Sequence, residues 1–395
     1  MFLIIVTVCV ILTALQHWFI ANFFFVTERN LKVKHPPFTP KASVVIPCRG
    51  IDPHFDASIK SVLAQDYPDY EVIFAVQDEE DPAYARLRFL IDNHSKVAAQ
   101  IVIAGKPTIS TGKLNNLVHG VGRVRSESEV LVFMDSDTCP QPKWLAHLIA
   151  PLQNSHVGIT TGIPVYVPLK RTFWSLVKSM WMAGLGAFVT VKRFRGCYGG
   201  AMAVRKKNFD QFNVREIWKT ALTDDLTLSI ALKPTGTINY FVPQCMVPIF
   251  EGTTLIDFVK WANRQSLLSR VYFRWQWIFV GLMFGSRMIF MVASPIVFIT
   301  ALATGTLSLI HWIFLCPVYM AVFNGYLLKK STDDAMKGEV PQIKKITRWY
   351  PLLAPSTQIL AIVNFAIPLF ARKMTWRGIT YRFTSSTEVV VETRK

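Results

Sequence analysis

The sequence predicts a membrane-anchored α/β protein whose central domain contains a mostly parallel sheet. Between residues 43 and 252, short apolar runs of strand length alternate with helical segments, which is typical of parallel sheets with helices on both faces. In addition, residues 2–25 contain no Asp, Glu, Lys or Arg, and a helix of that length can span ~30 Å of hydrocarbon. These two patterns together indicate an anchor followed by a folded domain.

The composition limits the function classes. Of the 395 residues, 51% are hydrophobic, and Lys plus Arg exceed Asp plus Glu by 17. In a membrane protein this charge favours anionic lipid head groups and a phosphorylated substrate, and no nucleic-acid-binding motif accompanies it. The six cysteines are scattered without a Cys-x-x-Cys pair, which argues against a zinc site or a disulfide framework and is typical of a reducing compartment.

The N-terminal apolar run, residues 1–25, is interpreted as a retained transmembrane anchor. No basic stretch precedes it and no small-residue cleavage site follows it; a removed signal peptide is the alternative. Residues 26–42 are expected to form a linker, and its positive charge places the next domain in the cytoplasm. The basic residues of the linker are Arg29, Lys32, Lys34 and Lys41.

The predicted central domain, residues 43–270, begins with four strands separated by three helices. The strands are 43–47, 70–76, 100–104 and 130–134, and the helices 55–64, 82–94 and 113–121. The fourth strand ends abruptly in Asp135-Ser136-Asp137. Two carboxylates at the carboxyl end of a strand lie where α/β folds bind ligands, and this spacing puts both on one side of an extended turn. A divalent cation bound through oxygen, and through it a diphosphate, suits this arrangement; a solvated loop is the alternative.

The C-terminal part of the chain predicts further membrane contacts. Residues 169–195 mix aromatic with basic side chains, as a helix in the head-group plane does; an ordinary surface helix is the alternative. Residues 271–328 are expected to form an interfacial segment (275–286) and a transmembrane hairpin, with spans 288–303 and 306–328 that meet at Thr304-Gly305. The remaining segments are a basic cytoplasmic loop (329–351), a segment that is re-entrant or transmembrane (352–371), and a cytoplasmic tail (372–395). For 352–371 a re-entrant or interfacial segment is favoured over a further span.

Several short motifs occur in one order along the domain. They are Val45-Ile46-Pro47-Cys48-Arg49-Gly50, Gln77-Asp78, Gly112-Lys113-x-Asn115, Asp135-Ser136-Asp137, Gly199-Gly200-Ala201-Met202-Ala203 and Thr223-Asp224-Asp225. This ordered set resembles the inverting, membrane-bound glycosyltransferases of GT-A fold in the synthase-like group, and within it the ceramide glucosyltransferases and their lipid-glycosylating bacterial relatives. The resemblance covers about residues 43–270, plus Trp376-Arg377-Gly378. It implies a Rossmann-like GT-A catalytic domain.

The resemblance also implies roles for the donor-site residues. Asp78 corresponds to the aspartate that binds the uracil and ribose of a UDP-sugar, with Lys113, Pro47 and Arg49 in the same nucleotide site. From residue types alone, a cap on the helix that starts at Pro82 is the alternative for Asp78, and a place on a charged surface helix is the alternative for Lys113.

The metal and the chemical step are implied in the same way. Asp135 and Asp137 correspond to the pair that holds Mg²⁺ or Mn²⁺ against the diphosphate. Asp225 corresponds to the general base and Asp224 to its supporting residue, while Gly200 belongs to the acceptor or diphosphate site. Thr223-Asp224-Asp225 also has the residue types of an N-cap for a helix over 226–232.

The chain departs from the pattern at one motif. Related proteins carry Gln or Arg, two residues, then Arg-Trp, whereas this chain has Asp257-Phe258-Val259-Lys260-Trp261. Lysine can pair with a phosphate but lacks the bidentate fork of arginine. Arg264, one helical turn beyond Lys260, could supply that geometry. Acceptor or diphosphate contacts are therefore expected from Lys260, Trp261 and Arg264.

The expected function is transfer of a sugar from a UDP-sugar to a hydroxyl group of a ceramide-like lipid, with inversion and metal assistance. The family resemblance implies that the sugar is glucose. The protein is expected to be integral to the membrane, with its catalytic domain in the cytoplasm. A processive polysaccharide synthase is the first alternative, but it needs an intact Gln-x-x-Arg-Trp motif and more spanning helices. A nucleotide-sugar-binding membrane protein that has lost catalysis is the second.

Overall fold

The computed structural model describes residues 2–194, 196–376, 379–383 and 389–394, so Arg195 and Arg377-Gly378 of the sequence motifs lie outside the described residues. The α-helices are α1 Phe2–Lys32, α2 Phe55–Leu63, α3 Pro82–His94, α4 Gly112–Val121, α5 Trp144–Ile149, α6 Phe173–Leu185, α7 Lys206–Gln211, α8 Val214–Trp218, α9 Asp224–Ala231, α10 Leu255–Tyr272, α11 Arg274–Ala303, α12 Leu309–Phe314, α13 Cys316–Ala335, α14 Ile343–Thr347 and α15 Tyr350–Phe370. The strands are β1 Ala42–Pro47, β2 Tyr70–Val76, β3 Ala98–Ile103, β4 Val130–Met134, β5 Val157–Thr161, β6 Pro164–Pro168, β7 Ala201–Arg205, β8 Ile238–Phe241, β9 Val247–Glu251, β10 Lys373–Trp376, β11 Ile379–Phe383 and β12 Val389–Arg394.

The chain forms two compact units. The sheet unit comprises Arg29–Val167, Val189–Glu251 and Arg372–Lys395. The helical unit comprises Met1–Glu28, Pro168–Phe188 and Gly252–Ala371.

The sheet unit is built on seven strands in the order β3-β2-β1-β4-β7-β5-β8. Strands β3, β2, β1 and β4 are parallel, β5 and β8 are parallel to each other, and β7 alone is antiparallel to both of its neighbours. The predicted α/β fold with a mostly parallel sheet is confirmed. The seven elements predicted between residues 43 and 134 are also confirmed, each within two residues of its expected ends.

Alternation along the strands builds a core on each face of this sheet. Val44 and Ile46 of β1 point to one face, where they join side chains of α2, α3 and α5. Val45 points to the opposite face together with Phe133 of β4, which packs on Trp218 at 5.0 Å between ring centroids. Burial of each such aliphatic or aromatic side chain contributes ~1.5–3 kcal/mol, so the apolar strand runs explain why the sheet is covered on both faces.

The helical unit is organised around α15, which packs against α6, α10, α11 and α13. The packing is close where α13 meets the start of α15, because a Cβ on Gly325 would lie 2.4 Å from the carbonyl oxygen of Tyr350. Tyr350 also hydrogen-bonds through its hydroxyl group to Ser179 of α6, at 2.8 Å. At the other end of α15, Arg270 donates to the carbonyl oxygens of Leu369 and Ala371, at 2.7 and 2.6 Å.

Three helices among the described residues are long and apolar enough to cross a membrane: residues 7–32 of α1, α11 and α15. The expected return arm of the hairpin, 306–328, does not form one span. It is broken at Leu315 between α12 and α13, and Pro317, which has no N–H to donate, lies in the first turn of α13.

Two other segments with predicted membrane contacts have a different secondary structure from the one expected. The segment 275–286, expected at the interface, is the first part of the continuous 30-residue helix α11. Residues 352–371 lie almost entirely in α15, a continuous helix through Pro355 and Pro368 in place of the interrupted backbone of a re-entrant segment. The positions of these segments in a membrane stay predictions.

Candidate active site

The reversed strand β7 brings the motif Gly199-Gly200 to the end of β4. Because β7 runs antiparallel to β4, Ala201 at its start pairs with Met134 at the end of β4. The residue after Met134 is Asp135, and the residues before Ala201 are the two glycines. The 66 residues between Met134 and Ala201 therefore begin and end next to each other at this edge of the sheet.

The glycines are needed because carboxylates occupy the space of their missing side chains. A Cβ on Gly200 would lie 2.5 Å from Oδ2 of Asp135, and one on Gly199 would lie 2.1 Å from Oδ2 of Asp224. Real Cβ atoms do not come so close to oxygen. The Gly-Gly pair is thus the surface on which two acidic side chains rest.

Lys113 joins these two carboxylates. Its Nζ lies 2.7 Å from Oδ1 of Asp135 and 3.1 Å from Oδ2 of Asp224, and only 19% of its side chain is exposed. Lys113 is held at the start of α4, where the Thr111 hydroxyl caps the helix by accepting from the N–H of Leu114 at 3.3 Å. Burial alone would lower the pKa of Lys113, but the two carboxylates more than offset this and raise the pKa above its ordinary value. The lysine therefore stays charged.

Asp225 lies beside this cluster at the start of α9. The expected cap is only partly correct: α9 begins at Asp224 itself, and the side chain of Thr223 makes no capping hydrogen bond. Instead Oδ1 of Asp225 accepts from the N–H of Leu226 at 2.7 Å.

The surroundings of Asp225 make it a stronger base than an ordinary aspartate. Burial, and next the charge of Asp224, raise the pKa of Asp225 to about 7, although Lys113 and the N–H groups of Leu226 and Gly199 favour the ionised form. A carboxyl group whose pKa is close to neutral pH can both accept and release a proton there.

Tyr198 is a member of the site that the sequence motifs did not identify. Its hydroxyl group donates to Oδ2 of Asp135 at 3.0 Å, so both oxygens of Asp135 are engaged. Burial, and next the charge of Asp135, raise the pKa of Tyr198 well above its ordinary value, which keeps the donor proton in place. Its position directly before Gly199 was the available signal.

The expected donor-site residues follow three neighbouring parallel strands. Pro47 ends β1, Asp78 follows β2, and Asp135 follows β4, so all three lie at the carboxyl edge of the sheet. Arg49 lies near the start of α4, where a Cβ on Gly112 would lie 3.8 Å from its Nη1. This edge is where open α/β sheets bind ligands.

Asp78 does not cap α3. The N-cap is Asp81, whose Oδ1 accepts from the N–H groups of Ala83 and Gly50 at 3.0 and 2.8 Å. The carboxylate of Asp78 instead accepts from Nε2 of its neighbour Gln77 at 2.8 Å. The alternative structural role for Asp78 is therefore taken by another residue.

Two asparagines that follow Lys113 connect α4 to the strand ends. Asn116 donates to the carbonyl oxygens of Cys48 and Ala75, at 3.1 and 3.0 Å, and Asn115 donates to those of Ala104 and Gly105, at 3.1 and 2.9 Å. Asn115 is part of the sequence motif, but its contacts and those of Asn116 are visible only in the fold. They hold the start of α4 against the sheet edge.

The Asp135–Asp137 turn carries the two carboxylates that the sequence motif assigns to a cation. It is fixed by Thr138, which donates from its hydroxyl group to the carbonyl oxygen of Asp135 at 2.8 Å and forms a bridge with Ile249. Within the described part of the chain no group of three His, Cys, Asp or Glu residues forms a ready-made metal cage. Two carboxylates fit a Mg²⁺ or Mn²⁺ ion that takes its other ligands from water and a diphosphate, which is how Mg²⁺ is commonly held.

The residues of the altered motif, Lys260, Trp261 and Arg264, belong to α10 in the helical unit. Lys260 is exposed, Arg264 is half-buried, and Trp261 is buried with its ring 4.9 Å from Nζ of Lys178. Asp257 forms a capping box with Thr254, in which each side chain accepts from the other residue's backbone N–H. The first position of the motif is thus a helix cap in this chain, which the sequence interpretation missed.

Comparison with known proteins decides the family. Residues 1–389 match glycosyl transferase family 21. This chain belongs to glycosyl transferase family 21. Ceramide glucosyltransferase 1 of Caenorhabditis elegans is 25% identical over 222 residues, which are 55% of this chain and 47% of the relative. A ceramide glucosyltransferase of Komagataella phaffii is 29% identical over 123 residues, 29% of this chain and 24% of the relative.

The chain is thus matched over about half the length of these relatives or less. Among solved structures, a mannosyltransferase from Pyrobaculum calidifontis in complex with GDP-Man and Mn²⁺ superimposes with a TM-score of 0.47 at 16% identity, over 92% of this chain and 96% of that one.

The first prediction concerns the glycine pair. Gly199→Ala places a methyl group where Oδ2 of Asp224 now lies and forces that carboxylate away from Lys113. We expect a loss of ~1–3 kcal/mol of stability, the usual cost of overpacking, seen as a lower midpoint of thermal unfolding in detergent. Gly252→Ala is the matched control, since its Cβ meets no atom within 4 Å. Equal midpoints for the two variants would contradict the close approach.

Proposed function

We propose that this protein transfers a sugar, glucose in the first instance, from a UDP-sugar to the hydroxyl group of a ceramide-like lipid, with inversion at the anomeric carbon. The observation that supports it most directly is Asp225, whose pKa is raised to about 7 beside the Asp135–Lys113–Asp224 cluster at the ligand-binding edge of the sheet. Membership of glycosyl transferase family 21 and the ceramide glucosyltransferase relatives support the reaction class and the acceptor.

The chemical step uses Asp225 as the general base. Its carboxylate takes the proton of the lipid hydroxyl group while that oxygen attacks the anomeric carbon from the face opposite UDP. The new C–O bond forms as the bond to the UDP oxygen breaks, and the electron pair leaves with UDP. A single displacement inverts the anomeric centre, so an α-linked donor gives a β-glycoside.

The other residues of the site are proposed to bind the donor nucleotide and to hold the catalytic carboxylates in place. Asp78 is proposed to bind the uracil and ribose, with Pro47 and Arg49 in the same nucleotide site. Lys113 and Tyr198 fix both oxygens of Asp135. Burial, and next the charge of Asp224, keep the pKa of Asp225 high.

The cation is proposed to lie on the same turn. Asp137 and Asp135 would hold a Mg²⁺ or Mn²⁺ ion, which neutralises the diphosphate charge of the departing UDP when bound. Asp137 is proposed as the more direct ligand, because the second aspartate of the pair contacts the ion in the glycosyltransferases that this motif resembles.

The proposed location is an integral membrane protein with its catalytic unit in the cytoplasm. Residues 7–32, α11 and α15 would anchor the protein in the bilayer, and the positive charge of the segments 26–42 and 329–351 supports the cytoplasmic side for the catalytic unit. A processive synthase is disfavoured, because the described residues contain three candidate spans and Lys260 stands in place of the motif arginine. The contacts of Lys260, Trp261, Arg264 and Gly200 with acceptor or diphosphate stay predictions.

The second prediction tests the base. Asp225→Asn keeps the size of the side chain and the acceptor for Leu226 but cannot take a proton. We expect UDP binding by calorimetry to stay near the wild-type value while transfer to lipid falls ~10²–10⁴-fold, the usual contribution of a positioned base. Initial rates would be measured in nanodiscs with a panel of UDP-sugars and with ceramide or diacylglycerol as acceptor.

Two outcomes of that experiment would count against the proposal. Wild-type transfer by Asp225→Asn would place the base elsewhere. UDP binding without transfer by the wild-type protein, for every donor and acceptor, would favour the alternative of a binding protein that has lost catalysis.

The third prediction concerns pH. Because the pKa of Asp225 is about 7, protonation removes the base as pH falls below 7, and kcat should drop about tenfold per unit there. Burial is the larger cause of the raised pKa and would remain in Asp224→Asn, but the variant removes the charge that adds to it, so the midpoint of the kcat profile should move to lower pH. A midpoint that stays fixed, or moves upward, in Asp224→Asn would contradict this origin of the shift.

A further inference from the structure

The helical unit carries far more positive than negative charge. Residues 1–28, 168–188 and 252–371 contain 14 Lys and Arg residues but only five Asp and Glu residues. Along the sequence, no acidic residue occurs between Asp257 and Asp333 or between Glu339 and Glu388. The end of α10, the start of α11 and the whole of α15 lie in these two stretches. Basic side chains there have no acidic neighbour in the sequence.

Two arginines lie close together where α10, α11 and α15 meet. Arg270, near the end of α10, donates to the carbonyl oxygens of Leu369 and Ala371 at the end of α15. Arg274 is the first residue of α11, and only Phe273 separates the two helices. Burial, and next the charge of Arg274, lower the pKa of Arg270, so the two guanidinium groups are near enough to repel each other. Arg274 is exposed, so this repulsion acts at the surface of the unit.

Two large apolar side chains are exposed at the same place. Trp275 is 76% exposed and Phe370 is 85% exposed. The Trp275 ring centroid lies 5.9 Å from Cζ of Arg274, and Phe370 lies between the two residues whose carbonyl oxygens bind Arg270. We call Arg270, Arg274, Trp275 and Phe370 the arginine corner.

The arginine corner lies where two candidate spans end. Helix α11 begins there and α15 ends there, and both are long and apolar enough to cross a membrane. Tryptophan and arginine side chains are typical of the level at which a spanning helix passes from hydrocarbon to head groups. The corner is therefore expected at the membrane surface.

These features favour one kind of partner. The phosphate of a lipid head group can accept from the paired N–H donors of guanidinium groups and offset their repulsion, while its acyl chains cover Trp275 and Phe370. A soluble anion would offset the charges but leave both aromatic side chains in water. A lipid without net charge would cover the aromatic side chains but leave the positive charge of the corner uncompensated.

We propose that the arginine corner binds an anionic phospholipid, with the phosphate on Arg274 and Arg270 and the acyl chains against Trp275 and Phe370. Ceramide has no phosphate, so this lipid is distinct from the acceptor of the proposed reaction. The proposal therefore goes beyond that reaction, and its test needs no sugar transfer.

Three variants separate the corner from the general charge of the protein. Arg274→Gln removes one positive charge at an exposed position, so the fold should be kept. Arg274→Lys keeps the charge. Arg88→Gln is the matched control, because Arg88 is also exposed, on α3 of the sheet unit, and the substitution removes the same charge.

The first experiment measures lipid preference by native mass spectrometry. The full chain in a neutral detergent is given equal amounts of phosphatidylglycerol and phosphatidylcholine, and the retained lipids are counted. We expect the wild-type protein to retain phosphatidylglycerol preferentially and Arg274→Gln to lower this preference about fivefold, the usual contribution of one basic residue at an anionic membrane surface. Arg274→Lys should retain most of the preference and Arg88→Gln all of it.

Three results would overturn the proposal. They are no preference for phosphatidylglycerol in the wild-type protein, an equal loss in Arg88→Gln and Arg274→Gln, and an equal loss in Arg274→Lys and Arg274→Gln. The second would assign the preference to overall charge, and the third to a change in local structure.

The second experiment locates the lipid and separates it from a free anion. A phosphatidylglycerol probe with a photoactivatable head group should label residues 264–278 or 366–371 of the full chain in nanodiscs, and labelling confined to other segments overturns the site. Phosphatidylglycerol added to phosphatidylcholine nanodiscs should raise the midpoint of thermal unfolding by mass action, less so in Arg274→Gln, whereas inorganic phosphate at equal ionic strength should not. An equal rise with inorganic phosphate overturns the assignment to a lipid.

Discussion

The contact of the Lys113 ammonium group with two carboxylates is the interaction on which the candidate site depends. Asp135 follows β4 and Asp224 starts α9, 89 residues later. Without a cation between them, the half-buried charge of Asp135 and the buried charge of Asp224 would repel each other. Lys113 reaches both from the start of α4. The glycine pair before β7 leaves room for both carboxylates. Three separate parts of the chain are thus fixed around one charge.

Most of the sheet could be predicted because its signals are local. Strand β4 is a continuous apolar run, and β1 and β2 are mainly apolar apart from Ser43 and Glu71. The helices between them show their own periodicity, so the predicted ends are close to the observed ones. The site contacts are different in kind. The antiparallel direction of β7, and with it the place of Gly199-Gly200, depends on a pairing between distant segments that no local pattern encodes.

The roles of individual polar residues are harder still to predict from the sequence, because several residues of the same type can be suited to one role. Asp78 and Asp81 are both suited to cap α3, and only the fold shows that Asp81 does so. Asp257 has the sequence position of a motif residue but serves as a cap for α10. Tyr198 belongs to the site through a hydrogen bond to Asp135, 63 residues away in the sequence. In the helical unit, Pro317 coincides with a break in an apolar run that had suggested one span.

The most direct test of the central claim is a double-mutant cycle of Lys113→Met and Asp224→Asn, read as thermal unfolding midpoints in detergent. Lys113→Met should destabilise the protein by an amount between the ~1 kcal/mol of an exposed ion pair and the ~3–5 kcal/mol of a broken buried one. Adding Asp224→Asn removes one of the two repelling charges, so the double variant should unfold at a higher temperature than Lys113→Met alone. Independent, additive losses in the double variant would show that Lys113 does not hold the two carboxylates together.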